Sequence, residues 1–210
     1  MTTRTGPRIS TRKQPKQARS TELVAAILQA AEQVLAEEGA TRFTTARVAE
    51  KAGVSIGSLY QYFPNKAAIL FRLQSDEWRQ TQDMLRNILE DARHPPLTRL
   101  RNLVHAFLKS ECDEAAMRTA LNDAAPLYRD APETREVKAN GQRTIQAFID
   151  EALPHASAAQ RTLAGDVINA TLGAVGKLYS ERPRKAAEIT TYANAIADML
   201  CAYIEKIGEK

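Results

Sequence analysis

Thr44-Thr45-Ala46-Arg47-Val48-Ala49-Glu50-Lys51-Ala52-Gly53-Val54-Ser55-Ile56-Gly57-Ser58-Leu59-Tyr60-Gln61-Tyr62 reads as two short helices joined by a tight turn. Thr44 is a good N-cap, because its hydroxyl can accept from an N–H that the first helical turn leaves unpaired. Val48, Ala49 and Ala52 form the buried face of the first helix, which stops at Gly53, where the turn needs backbone freedom. Ser55 caps the next helix, Ile56 to Phe63, and Pro64-Asn65 break it. Ala49 is small where the two helices cross, and Val54 and Leu59 are spaced to plug the second against the first. This is helix-turn-helix grammar, which offers the N-terminal residues of its second helix to a DNA major groove.

Upstream, Leu23, Ala26, Ile27, Ala30, Ala31, Val34 and Leu35 recur at helical spacing, so a helix is predicted from a Ser20 or Thr21 cap to Gly39. Residues 1–20 hold Arg4, Arg8, Arg12, Lys13, Lys16 and Arg19 with no acidic residue, and Ile9 is their one large apolar residue after Met1. Such a segment is expected to be disordered alone. Two readings of this basic arm, residues 1–19, stand open: an arm laid into a minor groove, or a tail with nonspecific attraction.

Downstream, a long helix starts near Lys66 and ends before His94-Pro95-Pro96. Further helices are predicted over about 97–111, 115–125, 132–153, 158–180 and 184–207. The total is about nine helices with no strand, an all-α protein. Its 210 residues, 44% hydrophobic, suffice for a sizeable core. Residues 1–66 hold ten Lys/Arg against five Asp/Glu, while the remainder holds nineteen against twenty. The basic excess is N-terminal, as expected for a polyanion binder. No apolar run approaches the ~18 residues of a membrane span, and Cys112 and Cys201 lie far apart with no metal-ligand spacing. A cytoplasmic protein without metal or cofactor is expected. An enzyme fares badly: His94, His105 and His155 are scattered, and no nucleophile elbow or phosphate loop is present.

Residues 20–70 resemble the N-terminal domain of the TetR family of transcriptional regulators. The stretch Phe43 to Leu70 carries the resemblance, above all Ala49-Glu50-Lys51-Ala52-Gly53-Val54-Ser55 followed by Leu59-Tyr60-Gln61-Tyr62-Phe63-Pro64-Asn65-Lys66. The bare helix-turn-helix is moderately specific. The Leu-Tyr-x-Tyr-Phe-x-x-Lys tail leading into a long fourth helix is much more so. The implied organisation is a DNA-binding domain over 20–66 and a helical effector-binding and dimerisation domain over 67–210.

Roles follow from residue chemistry and resemblance together. Thr44 and Thr45 suit a phosphate, and Arg47 a phosphate or a base edge. Ser55, Gly57, Ser58 and Gln61 face outward on the recognition helix. Gln61 suits bidentate pairing with adenine, Ser58 reads either partner, Gly57 allows close approach, and Ile56 suits a thymine methyl. Tyr60 and Tyr62 resemble the family's phosphate contacts, with a place in the core as the alternative. Lys66 suits a phosphate, whereas Lys51 reads as a solvated face.

The resemblance also implies a homodimer on a palindromic operator, joined by a bundle of the last two helices from each protomer. Leu163, Val167, Ala170, Thr171, Ala174, Leu178, Tyr192, Ile196, Met199, Leu200 and Tyr203 are the candidate contacts, with an intramolecular core as the alternative. Gly173 and Gly176 permit close packing nearby. It further implies a small effector held among the middle helices, whose binding shifts the fourth helix and releases DNA. Trp78, His105, Phe107, Met117, Leu121, Tyr128 and Phe148 are candidate walls, each also readable as plain core. A mostly apolar lining suits a lipophilic or aromatic compound. A repressor is therefore expected, against two alternatives: a dimeric DNA-binding regulator without a ligand, and a helical adaptor that uses the helix-turn-helix for protein contacts.

Overall fold

The computed structural model describes residues 9–11, 18–128 and 143–209. Its helices are α1 (Ala18–Arg42), α2 (Thr45–Lys51), α3 (Ile56–Tyr62), α4 (Lys66–Leu89), α5 (Pro96–Asp113), α6 (Ala115–Ala124) with a 3₁₀ turn Ala125–Leu127, α7 (143–152), α8 (Ala158–Ser180) and α9 (Ala186–Gly208). No strand occurs among the described residues. The part of the predicted 132–153 helix before residue 143, and the arm apart from residues 9–11 and 18–19, lie outside the described residues.

Side-chain caps set the starts of α2, α3, α4 and α8. Thr44 accepts from the Arg47 N–H at 3.3 Å, Ser55 from the Ser58 N–H at 3.0 Å, and Asn65 Oδ1 from the Ala68 N–H at 2.9 Å. Ser157 and Gln160 close a reciprocal capping box at the start of α8. Gly53 sits at φ 67 between α2 and α3, a left-handed conformation that glycine adopts without steric cost. Gly39, at φ 72, breaks α1 at the residue the sequence marks, although a last turn follows to Arg42. The predicted start of α1 needs correction. The helix already runs at Ala18, so Ser20 and Thr21 lie inside its first turn rather than capping it. Both residues are tolerated in a first turn, where backbone N–H groups lack intrahelical partners in any case.

Two compact units divide the chain, one reaching Glu77 and including Ala116 onward in α6, the other beginning at Trp78 and including α5 and α7–α9. The first unit packs Ile27, Ala31, Leu35, Phe43, Val48, Leu59, Phe63, Ile69 and Leu70 into one core, together with Leu121 and Tyr128. Ile9 is buried in the same core at 2% exposure, a departure from the fully disordered arm expected. The second unit is built on Leu100, Leu103, Val104 and Leu108 of α5, packed against Ile149, Ile168, Leu172, Ala193, Ala197 and Ile204. Gly176 lets α8 approach α5 closely. A Cβ there would stand 2.8 Å from both Phe107 Cε1 and Glu111 Cγ.

Arg99 is a buried cation of the second unit, at 2% exposure. Its guanidinium donates to the Leu89 carbonyl at the end of α4 and to both carboxylate oxygens of Glu151, and it lies over the Phe148 ring at 5.6 Å. The last carbonyls of a helix lack intrahelical donors, so Arg99 satisfies one of them while tying α4, α5 and α7 together. The same hydrogen bonds hold the Glu151 carboxyl below the usual carboxylate range.

Candidate nucleic-acid interface

The first unit exposes the polar face that the helix-turn-helix needs. Ser55, Ile56, Gly57, Tyr60 and Gln61 are all exposed, with Ser58 half-buried beside them. Ile56, at 42% exposure, is an apolar side chain left in water at the start of α3. Ser55 Oγ and Ser58 Oγ lie 2.8 Å apart, and Thr45 Oγ1 lies 3.1 Å from the Tyr60 hydroxyl, tying α2 to α3 across the face. Gly57 has ordinary backbone angles, and the nearest atom to a Cβ built on it is its own cap, Ser55 Oγ, at 3.8 Å. Lys66 opens α4, half-buried.

Two expected contacts are placed differently. Tyr62 is 5% exposed and packs with Leu59 and Phe63, so its ring stands in the core alternative and outside the exposed row that carries Tyr60. It falls there because it ends the two-turn helix on the same face as Leu59, three residues earlier. Arg47 is ion-paired with Glu38 of α1 rather than reaching outward. Lys51, read as a solvated face, is bound by both oxygens of Glu37 at 3.0 and 3.1 Å. Sequence reasoning missed Glu37 and Glu38. The Glu38–Arg42 spacing of four signals one pair, but nothing local signals the two pairs onto α2.

The candidate effector residues do not share one core. Met117, Leu121 and Tyr128 belong to the first unit's core, and Phe107 and Phe148 to the second's. The Tyr128 hydroxyl donates to the Leu121 carbonyl at 2.9 Å and lies 3.3 Å from Gln74 Oε1, and burial, with the Glu77 charge behind it, pushes its phenol pKa up. His105 Nε2 lies 3.0 Å from Asn194 Oδ1, a satisfied histidine between α5 and α9. Trp78 is half-buried on α4. The apolar periodicity identified these residues as buried or partly buried, which is not the same as facing one cavity.

On α8 and α9 the exposure is uneven. Leu163 (58%), Leu178 (65%) and Met199 (51%) are large apolar side chains in water, and Ala170 and Ala174 are exposed between them on α8. Val167, Thr171, Tyr192, Ile196 and Tyr203 are half-buried. Leu200 must be corrected: it is 1% exposed, one residue round α9 from Met199, and belongs to its own chain's core with Ala193, Ala197 and Ile204. Gly173 has no atom within 4 Å of a built Cβ, so among the described residues no part of this chain requires its small size. Both thiols are raised by burial, Cys112 and Cys201 alike. No helix among the described residues is long and apolar enough to cross a membrane.

A capped two-helix reading head on a small helical unit, followed by a larger all-helical unit, defines a helix-turn-helix DNA-binding regulator. The family description "Bacterial regulatory proteins, tetR family" matches residues 27–73, and "Tetracyclin repressor-like, C-terminal domain" matches residues 95–207. The chain belongs to the TetR family of transcriptional regulators. Among curated relatives it is 39% identical over 83 residues to the nucleoid occlusion factor SlmA of Vibrio campbellii, a match covering 39% of this chain and 42% of that protein. It is 29% identical over 136 residues to the HTH-type transcriptional regulator BetI of Stenotrophomonas maltophilia, covering 63% and 69%. The SlmA match therefore spans less than half of that relative's length. Among solved structures, the fatty acid degradation regulator FadR of Bacillus halodurans superposes with a TM-score of 0.67 at 20% identity, covering 90% of this chain and 97% of that one. FadR of Bacillus subtilis, solved with stearoyl-CoA, gives 0.65 at 16%, covering 85% and 97%.

Proposed function

We propose that the chain is a cytoplasmic repressor that binds a palindromic operator as a homodimer and is released by a lipophilic small molecule. The observation that carries the DNA half is the exposed row Ser55, Ile56, Gly57 and Gln61 on a helix fixed at both ends by Ser55 and Phe63. Apart from the cap that Ser55 makes on α3, these side chains stand exposed among the described residues, and their donors, acceptors and one apolar tip are of the kinds that read base edges. In this reading Thr44, Thr45, Tyr60 and Lys66 serve the phosphates, residues 20–66 form the DNA-binding domain, and 67–210 form the effector and dimerisation domain.

The dimer half rests on Leu163, Leu178 and Met199, which leave an apolar stripe in water along α8 and α9. A second copy of the stripe covers it by two-fold symmetry, and that symmetry sets two recognition helices about one DNA turn apart. The effector half rests on kinship: FadR of Bacillus subtilis was crystallised with stearoyl-CoA. A ligand that prefers the DNA-incompetent state by about 1–3 kcal/mol suffices to switch such a protein.

The test uses the full chain. Mobility shifts with the DNA upstream of its own gene measure operator binding, and light scattering of the wild type and of Leu178→Glu/Met199→Glu measures the dimer. Stearoyl-CoA and a panel of lipophilic compounds, added to the preformed complex, measure release. No shift at moderate salt sinks the DNA reading. A monomer at micromolar concentration sinks the dimer. DNA binding with no release by any compound leaves the regulator without a small-molecule ligand as the better reading.

A further inference from the structure

Residues 20–66 hold four cations, Arg42, Arg47, Lys51 and Lys66, against five carboxylates, Glu22, Glu32, Glu37, Glu38 and Glu50. The basic excess of the N-terminal third therefore lies entirely in residues 1–19, and the helix-turn-helix body has none of its own. The structure sharpens this. Glu37 and Glu38 stand at the end of α1, just before the Gly39 break. Glu37 takes Lys51, while Glu38 takes Arg47 and lies 3.6 Å from Arg42 Nε. Lys66 alone of the four pairs with no carboxylate among the described residues.

Glu38 is the hub of this arrangement. Its side chain is 26% exposed, less than any of the side chains paired around it, and it faces two cations at once. Arg47 lies on α2, three residues beyond its N-cap Thr44, on the element proposed to meet the phosphates. We propose that Glu38 is a specificity-determining residue, one that withholds Arg47 from the DNA backbone. A guanidinium neutralised by a carboxylate neutralises no phosphate. The sequence-independent part of DNA affinity counts neutralised phosphates, with a salt slope of about −0.9 for each one. Withholding one cation weakens the grip on arbitrary DNA, while the base-edge contacts of α3 are left as they are. The ratio of operator to non-operator affinity rises. The inference rests on the DNA-binding reading above.

The experiment compares the full-length wild type, Glu38→Gln and Glu38→Ala, each with and without Arg47→Ala. Anisotropy of a labelled random-sequence duplex of about three helical turns is read between about 50 and 200 mM salt. Thermal melts check the fold. In both Glu38 variants the random duplex binds roughly threefold tighter or more, and the slope steepens by about 0.9 per protomer. Adding Arg47→Ala cancels both gains. Unchanged affinity and slope in the Glu38 variants overturn the proposal, as does a gain that survives Arg47→Ala. If both Glu38 variants unfold, the ion pair is a strut of the α1–α2 packing and the proposal falls. A wild type that binds no duplex sinks the DNA reading itself, which no pattern among the variants imitates.

Discussion

Replacing Gly57 by alanine separates the needs of the fold from the needs of the ligand. A glycine inside a short helix costs roughly 0.5–1 kcal/mol relative to alanine, through backbone entropy. Within this protein nothing repays that cost: the backbone at Gly57 is ordinary, and the new Cβ would meet only Ser55 Oγ at 3.8 Å, an unstrained contact. Gly57→Ala therefore stabilises the free protein by about 0.5–1 kcal/mol, which raises the melting temperature by about 1–4 °C for a chain of this size. On DNA the sign reverses. If α3 brings its backbone against the groove at this position, the methyl group stands where a base edge or sugar belongs, and affinity falls by about tenfold or more, some 1.4 kcal/mol. Calorimetry of the free protein and anisotropy on its operator measure the two effects on one variant. A stabilised protein with undiminished affinity would show that α3 does not approach DNA at Gly57. A destabilised protein would refute the account of the helix itself.

Gln61→Ala relaxes specificity and costs about 1–3 kcal/mol on the operator, while Lys66→Ala weakens all sequences alike and flattens the salt slope by about 0.9; identical behaviour of the two in a competition titration against random DNA would remove the division between base and phosphate roles. Arg99→Ala strands the Leu89 carbonyl and empties the space over Phe148, and costs about 3–5 kcal/mol in a denaturant melt. The Glu151 carboxyl is depressed in the folded state by its hydrogen bonds to Arg99. Its contribution to stability is present above the ordinary carboxylate range and is lost as pH falls below it, so the wild type loses stability on acidification more steeply than Glu151→Gln, as melts across that range would show. Gly176→Ala forces a methyl to within 2.8 Å of the Phe107 ring, an overpacking that costs about 1–3 kcal/mol, read as a lower melting temperature.

The reading head was legible because local chemistry fixes it. Thr44, Gly53 and Ser55 each do a job that few residue types do, and each does it where the spacing implies. The start of α1 was less so, because Ser20 and Thr21 are as much at home in a first helical turn as before one. Adjacent Met199 and Leu200 show the limit of periodicity: both are apolar, and one residue of rotation puts the first in water and the second in the core. Nothing in the local sequence marks Arg99, since a buried cation is betrayed only by the distant Glu151 and Leu89 that receive it. The same holds for Arg47, whose partner lies on another helix.

The charge arrangement has a kinetic side. Long-range attraction speeds the encounter of a protein with DNA, and it scales with unpaired charge rather than with the quality of the final fit. Residues 20–66 hold four cations against five carboxylates and residues 1–19 six cations with none, so by charge count the ionic-strength dependence of the association rate is expected to follow residues 1–19. A chain clipped by a protease before Ala18 would lose five of those six cations and also Ile9, buried in the first unit's core, so it is expected to find its operator more slowly and to present a less stable reading head. One residue of the basic stretch would thus steady the reading head while the charges around it speed the search.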